Sequence, residues 1–233
     1  MKLLYKYCSI ESAVCILESG NIRFNSPRNF QDKKDVPIDL VDFSYPKLHN
    51  DYIKDLEELK ILEPQHNGYL DVIGNVRAMY KKLLNDKYNK AKVTCFSLNY
   101  NSNFCWFHYA DNSRGIVFQF DLNEIFDEYK DGLFGAGKVN YIKKYRDINF
   151  FKYPKFDFYN YFLYNKLKSK YWQEEEFRFV YLNNLDNIED FKDFRFNPFS
   201  LKAIKFGKKC SEDDKLKILN LLSEKGIDVK IIQ

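Results

Sequence analysis

Three glutamates stand directly before an apolar run: Glu174-Glu175-Glu176, then Phe177-Arg178-Phe179-Val180-Tyr181-Leu182. The run reads as a buried strand, so the acids enter the fold at the mouth of a core element. A carboxylate is costly to desolvate, and three of them at such a position need partners, water or a task in a site. The chain must therefore build a sheet with acids at one strand end, and much of the rest follows from asking what surrounds that end.

With 233 residues and 45% apolar side chains, the chain can bury one sizeable core, or a core plus a small lobe. Its 22 Phe and 18 Tyr serve mainly that core, with an aromatic-lined ligand cleft as the sharper alternative. Lys and Arg exceed Asp and Glu by 37 − 33 = 4. So small an excess permits a nucleic-acid contact without arguing for one, since Lys33-Lys34, Lys143-Lys144 and Lys208-Lys209 are isolated pairs. Cys8, Cys15, Cys95, Cys105 and Cys210 form no Cys-x-x-Cys pair and read as free thiols. His49, His66 and His108 are scattered, so no metal is expected. The start resembles no signal peptide, and no apolar run approaches the ~20 residues of a membrane span, so a cytoplasmic protein without a membrane partner is expected.

The chain opens strand-helix-strand: Leu3 to Tyr7, a Ser9-capped helix with Ile10, Ala13, Val14 and Leu17 on one face, then Ile22 to Phe24. A polar loop spans 29–46, long enough to suggest that it serves a site. Two amphipathic patterns, 48–63 and 70–88, predict a helical insert over 48–91 within a single domain, 1–233. Strands follow at 92–97, 115–120 and 138–142, with an Asp121/Glu124 capping box opening a helix to about Tyr129. The glycines at 132, 135 and 137 read as a turn. A helix is expected over 156–170, then strand 177–182, strand 201–206, helix 212–225 and strand 227–232. Strands and helices mix without strict alternation, which predicts an α+β fold.

Chemistry-bearing residues gather in three clusters: Tyr5-Lys6-Tyr7 with Arg23; Cys95-Phe96-Ser97 with Trp106, His108, Tyr109 and Arg114; and the acidic triplet. Each has a bland reading beside it. Tyr5, Tyr7, Trp106 and Tyr109 suit a core, Arg114 suits a turn pair with Asp111, and the glutamates suit partners at Lys168, Lys170 or Arg178.

The blocks Leu-Tyr-Lys-Tyr, Ile-Leu-x-x-Gly-x-Ile-Arg-Phe, Cys-Phe-Ser, Trp-x-x-Tyr-Ala-Asp-Asn-x-x-Gly and Glu-x-Glu-aromatic-Arg resemble, in this order, the bacterial "domain of unknown function 2971" family. The order of elements is more distantly similar to ADP-ribosyltransferases, which place a polar residue on a first strand, a Ser strand in the middle and a Glu near a later strand. That resemblance implies a split, mixed or antiparallel β-sheet core flanked by helices, with NAD as substrate. It implies Glu176 and Glu174 as catalytic, Glu176 facing an oxocarbenium-like transition state and Glu174 meeting the acceptor. Tyr5, Tyr7, Arg23, Ser97, Trp106, Tyr109 and Arg114 would contact the dinucleotide. On an extended segment Glu174 and Glu176 would point the same way. The chain departs from the pattern at its first strand, where Tyr or Lys stands for Arg or His, and at Cys-Phe-Ser in place of Ser-Thr-Ser.

Two functions are thus expected. One is an ADP-ribosyltransferase acting on a macromolecule, protein or nucleic acid, as a bacterial toxin or antiphage defence effector with an antitoxin partner. The alternative is a non-catalytic nucleotide- or nucleic-acid-binding module.

Overall fold

The structure, a computed structural model, describes residues 2–30, 32, 35–36, 40–42, 69–126, 133–146, 148–149, 157–182 and 189–232. Its elements begin with β1 (Leu3–Cys8), α1 (Ile10–Ser19), β2 (Asn21–Asn25), the short β3 (Val41–Asp42) and α2 (Tyr69–Lys90). The middle holds β4 (Ala91–Ser97), α3 (Asn103–His108), β5 (Ile116–Asp121), β6 (Leu133–Lys138), β7 (Asn140–Ile142) and β8 (Ile148–Asn149). Then come α4 (Phe158–Tyr164), β9 (Asn165–Leu167), a 3-10 turn (Lys170–Glu174), β10 (Glu176–Leu182), β11 (Phe191–Arg195), β12 (Leu201–Phe206), α5 (Glu212–Glu224) and β13 (Lys230–Ile232). The expected α+β class holds: a mixed, largely antiparallel sheet is flanked by helices.

Local signals set most boundaries. The Ser9 hydroxyl accepts from the Ser12 amide at 3.2 Å to start α1, and Gly20, at φ 67°, ends it in the left-handed region. Ser211 caps α5 in the same way, accepting from Asp214 N at 3.1 Å.

The nine-stranded sheet runs β11-β2-β4-β1-β5-β12-β13, and branches where β10 pairs with β4 and β6 pairs with β10. Only β12 and β13 are parallel within it. One face carries Leu4, Phe96, Phe118, Phe120, Phe177 and Phe179, which pack with α1 and α5 into the main core. Burial of such side chains contributes about 1.5–3 kcal/mol each and dominates the stability of the fold. The opposite face carries two smaller apolar clusters. Val93, Val180, Phe162 and Leu163 form one. Tyr7, Trp106 and Val117 form the other.

Several expectations need correction. The helix expected over 156–170 stops at Tyr164, because Asn165–Leu167 turns extended and pairs in parallel with Asn140–Ile142. The glycines read as a turn include Gly135 and Gly137 inside β6, where a Cβ would come within 3.1 Å of the Tyr164 hydroxyl and 3.2 Å of its ring. They are glycines so that an aromatic ring can lie on the strand. The Asp121/Glu124 segment forms a turn rather than a helix as far as Phe126. The last strand begins at Lys230 rather than 227. Of the helical insert, α2 matches the second pattern, while 48–63 lies outside the described residues.

Candidate functional site

β4 is the junction of the sheet. Along one edge it pairs with β10 from Ser97–Glu176 to Ala91–Leu182. Along the other, β1 meets it only at Ser97, opposite Tyr5, and β2 only at Val93, opposite Asn25. Between those two points no described strand covers Thr94–Phe96, and the sheet forks. The Lys6 ammonium enters the fork and donates to Cys95 O (3.0 Å) and Thr94 Oγ1 (3.1 Å), replacing ladder bonds that a strand would have made. A cleft of about 280 Å³ opens there, lined by Tyr5, Tyr7, Tyr109, Tyr171, Lys166 and the acids among others.

The register puts Tyr5, Ser97 and Glu176 in one row on one face, since directly opposed residues of antiparallel strands share a side. Arg178, two residues along β10, joins that face and is wholly buried. Its Nε and Nη2 donate to Glu176 Oε1 (2.6 Å) and Oε2 (3.0 Å), and Nη2 also to Asp35 Oδ2 (2.5 Å). Nη1 donates to Leu163 O at 2.9 Å. Lys166 reaches the same centre from β9: its Nζ lies 2.8 Å from Glu174 Oε2, 3.3 Å from Glu176 Oε2 and 3.2 Å from Asp35 Oδ2. Three carboxylates thus share two cations. The Tyr109 hydroxyl donates to Glu174 Oε1 and closes the cluster. Asp35 Oδ1 is buried without a hydrogen-bond partner among the described residues.

Charge sharing splits the two glutamates. Burial and the Glu176 charge push Glu174 up to about 7, against the pull of Lys166. Burial pushes Glu176 up as well, but Arg178 and Lys166 outweigh it and hold that carboxyl well below the ordinary carboxylate range. Lys166 is held above its ordinary value because Glu176, Asp35 and Glu174 overcome its burial. Near neutral pH Glu176 is therefore a fixed carboxylate beside Glu174, which takes up and releases a proton. Such a divergence is how a site assigns separate electrostatic and acid–base tasks to like groups.

The two glutamates converge as expected but by another route. Glu174 ends the 3-10 turn, and Glu175, left-handed at φ 45°, reverses the chain before β10 begins. Both carboxylates meet at Lys166, while Glu175 turns away and accepts from Asn99 Nδ2 at 2.8 Å. Tyr5 and Tyr7 line the cleft, with the Tyr7 hydroxyl fixed between Asn99 O and Ser102 N. Ser97 braces rather than presents its hydroxyl, donating to Glu174 O at 2.7 Å and accepting from Asn99 N at 2.9 Å.

Of three further expected contacts, two lie outside the cleft and one stands at its rim. Trp106 is buried edge-on against Tyr7, ring centroids 5.3 Å apart, and is not among the cleft-lining residues; α3 turns it inward and leaves Tyr109, one turn on, facing the acids. Arg114 is exposed and pairs with Asp111 at 3.3 Å, away from the cleft. Arg23 stands at the cleft rim, but its guanidinium is spent on a two-point bond to Asp193 (2.9 and 3.0 Å) and stacks 3.7 Å over Phe191. The block around Asp111 builds a turn of three left-handed residues, Asp111, Asn112 and Ser113 (φ 45°, 50°, 66°), leading into β5.

Sequence reasoning missed Lys166 and Asp35. The only signals were an unpaired lysine inside an apolar helical pattern and an acid in a loop long enough to serve a site. Comparison of the chain with protein families, curated proteins and solved structures gave no match in any of the three.

Proposed function

We propose that the cleft receives the nicotinamide-ribose end of NAD and cleaves its C1′–N glycosidic bond, passing the ADP-ribosyl group to an acceptor. The observation that carries this reading is the row Tyr5–Ser97–Glu176 on three adjacent strands at the floor of a forked sheet. It is the arrangement that the likeness to ADP-ribosyltransferases leads one to expect.

Glu176, ionised and gripped at two points by Arg178, is a poor nucleophile, so its task is electrostatic: it faces the positive charge that develops at C1′. Its contact with Lys166, at 3.3 Å, is the longest in the cluster and is the one a ribose hydroxyl replaces. As the C1′–N bond breaks, its electron pair neutralises the pyridinium and nicotinamide leaves. The acceptor oxygen or nitrogen bonds to C1′, and its proton passes to ionised Glu174, from which Tyr109 and water carry it away. Tyr5 and Tyr171 offer aromatic surface to the base. A toxin or antiphage effector with a neutralising partner is the biological setting that fits such a transfer.

One observation favours the non-catalytic reading. The Ser97 hydroxyl and both Glu176 oxygens already hold protein partners, as they would in a cluster kept for shape alone. Nicotinamide release from NAD separates the two. Turnover is expected in the wild type, rising with pH through about 7 as Glu174 ionises. It is expected to fall by about 10²–10³ in Glu176→Gln with the fold retained. NAD retained without release would leave the binding module as the better account, and wild-type release by Glu176→Gln would remove Glu176 from the proposed catalytic role.

A further inference from the structure

At the mouth of the cleft, α3 packs against the 170–174 turn, and their aromatic side chains form a continuous rim. Phe104 stacks obliquely on His108 at 4.2 Å and meets Tyr171 edge-on at 5.7 Å. Phe107 meets His108 at 5.0 Å and is 59% exposed, and Trp172 is 47% exposed. Tyr100, 54% exposed, leans on cleft-lining Tyr5 at 6.1 Å. So many open rings in one place mark an interaction surface.

Two lysines accompany the rings. Lys168 lies 5.3 Å from the Trp172 ring and Lys170 5.2 Å from Tyr171. Among the described residues neither lysine pairs with a carboxylate within 4.0 Å, whereas the cleft interior is crowded with acids. The rim therefore attracts anions, while in the interior the acids are largely offset by Lys6, Lys166 and Arg178. A ligand that suits both has phosphates outside and neutral rings pointing in.

We infer that this rim docks single-stranded nucleic acid, its bases stacking on Phe107 and Trp172 and its phosphates meeting Lys168 and Lys170, so that the strand is the acceptor presented to the cleft. Flat rings interleaved with unpaired lysines are the means by which proteins hold single strands without reading sequence. A duplex keeps its base faces stacked on each other and has none to offer these rings. Protein interfaces use aromatics too, but their centres are depleted of lysine. The acceptor role rests on the proposed transfer; the docking itself does not.

The test measures fluorescence anisotropy of a labelled mixed-sequence 16-mer, as single-stranded DNA, single-stranded RNA and duplex DNA, with no NAD present. We expect either single strand to bind at least about tenfold tighter than the duplex. Two phosphate contacts predict an affinity about sevenfold weaker at 200 mM than at 50 mM salt. Phe107→Ala with Trp172→Ala is expected to weaken binding by about tenfold or more, and Lys168→Gln with Lys170→Gln to flatten the salt dependence. These side chains are exposed, so unchanged melting temperatures will show that the variants fold. No single-strand binding at 100 µM protein, equal duplex binding, or wild-type affinity in the double aromatic variant overturns the inference and assigns the rim to a protein partner. Glu176→Gln is expected to bind the strand as the wild type does. Strand binding without nicotinamide release would then defeat the proposed activity alone, and release without strand binding would defeat this surface alone.

Discussion

β10 presents two faces that are equally buried and opposite in chemistry. Phe177 and Phe179 point into the aromatic core under α1 and α5, while Glu176 and Arg178 point into a cluster of five charges. The first face is stabilising by simple removal from water. The second gains little net stability, because the desolvation of each ion roughly offsets its attraction to the next. Five buried charges beside the cleft add little stability that an apolar core would not, so one strand holds the fold with one face and lines the cleft with the other.

The comparison breaks most severely at Arg178. Arg178→Leu leaves Glu176 and Asp35 with Lys166 alone, and is expected to cost about 3–5 kcal/mol in urea unfolding, together with turnover. A variant as stable as the wild type would show that the cluster relaxes freely and that the contrast between faces is empty. On the other face, Phe179→Ala is expected to cost about 3 kcal/mol, the low end for such a change, since Phe96, Phe126 and Phe177 rings adjoin the space. Turnover per folded molecule should stay at the wild-type level, and a specific loss of activity would mean that the faces are coupled.

The charged face alone should respond to pH. Glu174, held near 7 in the fold against an ordinary 4.5, binds its proton more tightly when folded. Its stabilising effect is complete below about 4.5 and is lost as pH rises to about 7, a loss of up to about 3 kcal/mol. Glu176, held low, works the other way, and its contribution fades as pH falls below about 4.5. Chemical denaturation across this range should show a decline between pH 5 and 7 that Glu174→Gln abolishes; an unchanged slope would place the titrating proton elsewhere. The smallest effect belongs outside both faces. Arg114→Ala, which removes an exposed pair with Asp111, should change stability by less than about 0.5 kcal/mol and leave nicotinamide release intact.

Much of the fold was legible because its signals are local. Ser9 and Gly20 bracket α1, Ser211 caps α5, and alternation marks β5. The acids at 174 and 176 were legible as a candidate site for the same reason, that polar groups beside an apolar run need partners, whereas the tyrosines at 5 and 109 were singled out only through the likeness to ADP-ribosyltransferases. Trp106 and Tyr109 show the limit. Both lie on one short turn, and only the docking of α3 on the sheet decides which ring is core and which faces the acids.

The amino-acid order by itself determined which strand would bear carboxylates at its mouth, and that its alternate side chains would divide between oil and charge, since a strand's period of two requires it. Tertiary structure decided what those carboxylates would meet. Lys166 sits in a stretch with helical periodicity, and becomes a ligand of the acids only because β9 pairs with β7 and turns the chain extended. Asp35 comes from a polar loop, and Tyr5 from the far end of the chain. Contacts between residues so distant in sequence depend on strand order and register, which local propensity does not encode.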